Sequence, residues 1–407
     1  MKKIFLDLGR QPITNSFLKK LDKKSIDNEF FYNLKITFDT NTKLVSLLNF
    51  VKPEKMFNKK YAHRASSSLT MMNHFKKISL KLKKKFKRIR CLEIGSNDGA
   101  FIRNFTKKSV VAVEPCKNLA NITNQLGYKT YPKFWNFELS EKIKNKHGKM
   151  NIIFSSNTIS HVPYLDEILR GIENILKNDG LFVFEDPYIY SVLKNNSYDQ
   201  FYDEHAHLFS LLAMMNIVKP YNLKIVDVER LDTHGGSIRF YISKSSSKYK
   251  VHKNVKKILR LEIKNKLNQF KTYQLFATRV KKSKIKLQRI LKKIKSSNTE
   301  IVGYGATYKS ATVYNYCGIN KKKISYIIDT TKNKQNKFTP GSHIEIKSPQ
   351  KGFNDKLNIK FAFLGAWNFK KEILKKEMKY IKNGGSFITH VPEPRIINLK
   401  NVNREIR

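Results

Sequence analysis

The chain has 407 residues, 40% hydrophobic and 12% aromatic, which suffices for two or three packed domains and excludes a wholly disordered chain. No apolar run approaches the ~18 residues of a spanning helix, and MKKIFLDLGRQP lacks a signal-peptide core, so neither a membrane-spanning nor a secreted protein is expected. The net charge is +48, but 66 of the 80 basic residues are lysines spread from end to end. This reads as solvated surface, with weak attraction to a membrane surface or another polyanion as the alternative and no specific nucleic-acid partner.

Cys91, Cys116 and Cys317 lie far apart, which fits a reducing, cytoplasmic setting and offers no cysteine pair for a metal. In chain order, LKI at 34–36 and LVSLLNFV at 44–51 predict a small β-rich module over residues 1–80, followed by a helix through Leu69–Leu82. The Lys81–Arg90 run is a solvated boundary. From 81 to 245 the texture is α/β. The apolar runs at 91–95, 110–114, 152–156 and 181–186 alternate with helical spacing such as Leu165, Ile168, Leu169, Ile172 and Leu176. A parallel sheet covered on both faces follows, with IVDVERL and IRFYIS as two further strands. Residues 248–295 read as one long helix or two consecutive ones, packing an apolar stripe on a neighbouring domain. Runs at 301–306, 324–329, 361–367 and 385–389 then build a second Rossmann-like unit within residues 246–407.

The loop Glu93-Ile94-Gly95-Ser96-Asn97-Asp98-Gly99 follows the first central strand and precedes a helix expected near Ala100. Its glycines allow close approach, but the spacing is not that of a pyrophosphate binder, and Glu93 and Asp98 would repel phosphate. An acidic glycine loop suits a ligand with a positive centre, such as S-adenosylmethionine. Glu114, ending the next strand, can accept both ribose hydroxyls, and Asn157 and His161 lie at the carboxyl edge of the sheet, where open α/β sheets bind ligands.

Between residues 198 and 207 the chain sets two tyrosines, three acids and two histidines. His205 suits proton transfer near neutrality, with Tyr202 or Glu204 to orient it. His205 and His207 could instead form a metal pair, although no third ligand is near in sequence. His234, just before Gly235, Gly236 and Arg239, is a weaker candidate for substrate contact. So are Gly303, Gly305, Lys309 and Ser310, which could hold a diphosphate at a helix N-terminus.

Taken in order, LEIGSNDGAF, VAVEP, Asn157–His161, YDEHAHLFSL, VERLDTHGGSIRFYIS, VGYGATYKSATVYNYCGI and TPGSHIEIKSP resemble the three-domain sugar C-methyltransferases of nucleotide-deoxysugar pathways. The resemblance implies a small N-terminal zinc module, a central class I S-adenosylmethionine fold and a C-terminal Rossmann-like domain that shares in binding a nucleotide sugar. It also places Tyr202, Glu204, His205 and His161 in the active site. The zinc cysteines are missing: one pair has no counterpart, and the other falls on Asp39 and Thr42, so no metal is expected. The family's active-site tyrosine segment survives in part as Tyr61-Ala62-His63-Arg64, which makes Tyr61 a further candidate. An O- or N-methyltransferase acting on a sugar or glycan is the alternative function. A basic RNA-modifying protein is a more distant one.

Overall fold

The computed structural model describes residues 1–59, 61–352 and 359–406. Its strands form three sheets. The N-terminal sheet is built from β1 (Lys2–Pro12), β2 (Phe31–Asp39) and β3 (Val45–Leu47). The central strands are β4 (Cys91–Ile94), β5 (Val110–Val113), β6 (Lys129–Tyr131), β7 (Met150–Ser156) and β8 (Leu176–Pro187). The two-residue β9 (His207–Leu208) leaves the central region and pairs antiparallel with β3, completing the N-terminal sheet. The chain then returns through β10 (Leu223–Leu231) and β11 (Ser237–Lys244) to give the central order β10-β11-β8-β7-β4-β5-β6.

Strands β4 and β5 are buried at every position, as expected of parallel strands covered on both faces. The central sheet is not wholly parallel, however. β11 runs antiparallel to β8, because the short β10–β11 connection makes a hairpin, and a parallel return needs a long crossover. The Leu165–Ile175 helix packs Ile168, Leu169, Ile172 and Ile175 against the core and carries Asp166 and Glu167 in its first turn, where the helix dipole favours them. The helix expected near Ala100 is reduced to a 3-10 turn, Ile102–Asn104. The Asn104 amide takes the Ala100 and Phe101 carbonyls, and so occupies acceptors that a continuing helix would use.

The third sheet contains β12 (Ile301–Tyr304), β13 (Tyr326–Ile328), β14 (Lys337–Phe338), β15 (Glu345–Lys347), β16 (Phe361–Leu364), β17 (Ser386–Thr389) and β18 (Arg395–Ile397). Its order is β14-β15-β13-β12-β16-β17-β18, with antiparallel edges at β14 and β18. Between the central and C-terminal sheets lie two helices, Lys253–Lys264 and Phe270–Ser296. The second buries Tyr273, Phe276, Val280, Leu287 and Leu291, and Tyr273 stacks on Phe38 with ring centroids 4.4 Å apart. One continuous apolar core therefore joins the N-terminal sheet, this helix and the C-terminal sheet. Among the described residues, no helix is long and apolar enough to cross a membrane.

Candidate active site

The glycine loop leaves β4 through Gly95, whose φ of +76° favours glycine. A Cβ at this position would lie 2.1 Å from Thr158 Oγ1, so the loop is seated directly against the chain leading to His161. A Cβ on Gly99 would meet the Thr123 side chain at 2.8 Å. Glu114 spans the loop: one oxygen accepts from the Asn97 amide at 2.7 Å and the other from the Cys116 amide at 2.9 Å. Burial, then the nearby Glu114, pushes the Glu93 carboxyl well above its ordinary range. Asp98 accepts the Ser66 amide and hydroxyl.

Glu93 Oε2, Ser96 Oγ and Asn118 Oδ1 are buried without a hydrogen-bond partner. Three acids and these unpartnered polar atoms fit S-adenosylmethionine, which brings a sulfonium, an ammonium and hydroxyls to pair with them. Asn157 stands beside this loop with φ +49° and donates its amide N–H to the Glu185 carbonyl.

Tyr61 connects the cofactor loop to the histidines. Its carbonyl accepts from Asn118, and its hydroxyl donates to Glu204 Oε2 at 3.2 Å. The His205 ring lies 5.3 Å from the His161 ring at an interplanar angle of 24°, and Phe57 stacks on His161 with ring centroids 5.5 Å apart. His205 Nδ1 is 2.6 Å from the Gln200 carbonyl, which can only accept, so Nδ1 carries the proton. Nε2 is then the lone-pair nitrogen, and it receives the Tyr202 hydroxyl at 2.9 Å. Burial holds His205 well below its ordinary pKa of 6.5, with smaller contributions from His161 and Lys309. His161 is pushed down to about 3, again chiefly by burial, and its Nε2 has no partner. Both rings are neutral at physiological pH.

His234 adopts φ +55°, and its carbonyl accepts from both Gln200 Nε2 and Lys309 Nζ. Lys309, lowered to about 8 by burial, thus brings a cation from the helix after β12 to the edge of the pocket. The pocket also includes residues to which no individual role is assigned from sequence. Thr14 donates its amide to Asp203, Asn15 donates its side-chain amide to Glu204, and Lys334 lies across the Tyr308 ring.

Other candidates are assigned to the fold. Arg239 does not stand free for a substrate: its guanidinium pairs with Glu185 and Glu229 at 2.8 Å each, with His74 completing the cluster. Ser310 is tied into its own helix start: Thr307 caps the helix by accepting the Ser310 amide, and the Ser310 hydroxyl donates to the Thr307 carbonyl. Gly303 and Gly305 leave room for Ile327 and Ala366 respectively. His207 turns to Ser46 and the Pro163 carbonyl, and no group of three metal-ligating side chains exists among the described residues. Replacing Arg239 with Met should lower stability by ~1.5–3 kcal/mol, because the buried Glu185 would lose its guanidinium partner and keep only His74 and the Ser156 hydroxyl. Thermal unfolding checks this, with affinity for S-adenosylhomocysteine expected to be unchanged.

Comparison with known proteins accounts for nearly the whole chain. Residues 2–57 match a putative zinc binding domain, 61–228 a methyltransferase domain and 232–392 a C-methyltransferase C-terminal domain. C-methyltransferase NovU of Streptomyces niveus is 30% identical over 404 residues, covering 97% of this chain and 94% of that protein. The chain belongs to this C-methyltransferase family. Sterol 4-C-methyltransferase strm-1 of Caenorhabditis elegans is 23% identical over 186 residues, which span 52% of that protein. A crystal structure of an S-adenosylmethionine-dependent methyltransferase from Clostridium acetobutylicum superposes with a TM-score of 0.33 at 14% identity, covering 44% of this chain and 92% of that one.

The cofactor of this C-methyltransferase is S-adenosylmethionine, and its central sheet has the class I Rossmann-like fold. Zinc does not fit the residues present. Positions 2–57 contain no cysteine, and Asp39 instead accepts the Asn41 and Thr42 amides to close the β2–β3 turn.

Proposed function

We propose that this C-methyltransferase acts on a nucleotide-linked keto-deoxysugar, with His205 removing the proton from the carbon alpha to the ketone. The observation that carries this reading is the fixed tautomer of His205. A buried, neutral imidazole presents Nε2 as a lone pair within the pocket, and the Gln200 carbonyl prevents the ring from turning. Methyl transfer to oxygen or nitrogen needs no such carbon-acid base. When bound at the glycine loop, S-adenosylmethionine supplies an electrophilic methyl group.

The chain's own task is to generate the carbon nucleophile. The Tyr202 hydroxyl caps His205 Nε2 in the resting site; on turning to a developing enolate oxygen it leaves that lone pair free to take the substrate's proton, while His161 and Phe57 stack to exclude water from the base. Lys309 and Lys334 support the nucleotide part of the reading, since Lys309 lies in the first turn of the helix beginning at Tyr308 and Lys334 reaches the Ala306 carbonyl just ahead of it. The buried free thiols Cys91, Cys116 and Cys317 support a cytoplasmic setting.

Incubation with S-adenosylmethionine and candidate keto-sugar nucleotides should give a mass gain of one CH₂. In D₂O without the methyl donor, deuterium should appear at the same carbon. Methylation at oxygen with no exchange would overturn the proposal.

The acid limb of the kcat/KM profile supplies a second check. Protonating His205 removes its lone pair and abolishes the base. Because its pKa lies below 6.5, activity should stay level as pH falls through 6.5 and decline only at lower pH. A decline centred at or above 6.5 would argue against a buried imidazole as the base.

A further inference from the structure

The N-terminal sheet has lost the cysteines of a zinc module, yet it holds both sides of the segment carrying His205. Upstream, Thr14 and Asn15, in the turn after β1, reach Asp203 and Glu204 at 3.0 and 2.8 Å across 189 residues of sequence. Downstream, the Leu47 amide donates to the Ala206 carbonyl, and Ser46 pairs with His207. Glu204 itself is 2% exposed, with Asn15 on one carboxyl oxygen and Tyr61 on the other.

We propose that Asn15 is a positioning residue for catalysis: its side-chain amide fixes the Glu204 carboxyl in the histidine pocket, so that the metal-free N-terminal sheet serves as one wall of the active site. This rests on the reading of the 202–205 cluster as catalytic.

The physical argument concerns a buried acid between opposing influences. Burial and then the adjacent Asp203 push the Glu204 carboxyl upward, while the Tyr61 and Asn15 hydrogen bonds favour its charged form. Lys334 is the cation facing it, from the C-terminal sheet. Tyr32, Tyr202, Tyr308 and Cys116 face it from the remaining elements, all held neutral by burial. Loss of the Asn15 amide removes one of the few donors that stabilise the carboxylate, so Glu204 should hold its proton to higher pH.

Two variants test this in the full-length protein: Asn15→Ala, and Asn15→Asp, which keeps the shape but removes the donor. The probe is the protonated-carboxyl stretch in pH-difference infrared spectra, assigned to Glu204 by its loss in Glu204→Gln. This measurement needs no sugar substrate. The midpoint should rise by roughly one pH unit in Asn15→Ala, as befits one charge-assisted hydrogen bond, and further in Asn15→Asp. Unchanged midpoints in both variants overturn the proposal.

In turnover with the keto-sugar nucleotide that the wild type methylates, kcat should fall roughly ten- to hundredfold in both variants, with affinity for S-adenosylhomocysteine preserved. Wild-type kcat in both variants would also overturn it. Failure of the wild type itself to methylate any keto-sugar nucleotide would instead count against the substrate assignment.

Discussion

Replacing His205 with alanine should reduce methyl transfer by roughly 10²–10⁴-fold, the contribution typical of a positioned general base. The cofactor loop should be unaffected. Asp98 and Glu114 hold their places through contacts with Ser66, Asn97 and Cys116, none of which involves the His205 ring. Titration calorimetry with S-adenosylhomocysteine should therefore give wild-type affinity beside a single-turnover rate near background. Glutamine at 205 would fill much of the same volume without supplying a base, and should be as inactive as alanine. If either variant retained more than about a tenth of the wild-type rate, His205 would not be the base. The Tyr202 hydroxyl, which sits on Nε2, would then become the group to test.

The second large effect is expected at the glycine loop. An alanine at position 95 would set its Cβ 2.1 Å from Thr158 Oγ1 and 2.8 Å from Thr158 Cβ, so the whole threonine side chain is in the way. Thr158 cannot readily rotate aside, since its hydroxyl donates to the Ser156 carbonyl. The positive φ adds a further ~1–2 kcal/mol. Gly95→Ala should weaken S-adenosylhomocysteine binding at least ~100-fold, or about 2.7 kcal/mol. Gly9→Ala separates the two causes. Gly9 has a similar φ of +73° but nothing within 4 Å of its hypothetical Cβ, so that variant should show a modest loss of stability and normal cofactor affinity. Wild-type affinity in Gly95→Ala would mean that the cofactor does not rest against this loop.

The parts of the site that could be read in the sequence are those at the ends of strongly apolar central strands. The acidic glycine loop after β4, Glu114 after β5 and the segment after β7 come together at the carboxyl ends of three adjacent strands, ordered β7-β4-β5. What stayed hidden depends on contacts across long sequence separations. Nothing local marks Asn15 as a partner of Glu204, because Asn15 follows β1 and Glu204 precedes β9, strands of one sheet that lie about 195 residues apart in sequence. Lys334 was one lysine among 66, distinguished only by its burial against Tyr308 and Phe17. Arg239 misled for the opposite reason. It lies close to the glycine turn at 235–236, but its partners Glu185 and Glu229 sit on the two strands flanking it, a juxtaposition that only the hairpin pairing creates. The short strands β6, β14, β15 and β18 have two or three residues each, too few to show a period.

The pairing of β3 with β9 also has a consequence for synthesis of the chain. When Leu47 leaves the ribosome, the strand partner that will cover its outer edge lies roughly 160 residues away and has not been made. At ~5–20 residues per second, the growing chain carries an uncovered β edge for on the order of ten seconds or more. The first sheet begun thus waits for about half of the chain before its fourth strand exists, and a nascent chain stalled before residue 208 exposes a template for pairing with its neighbours on a polysome.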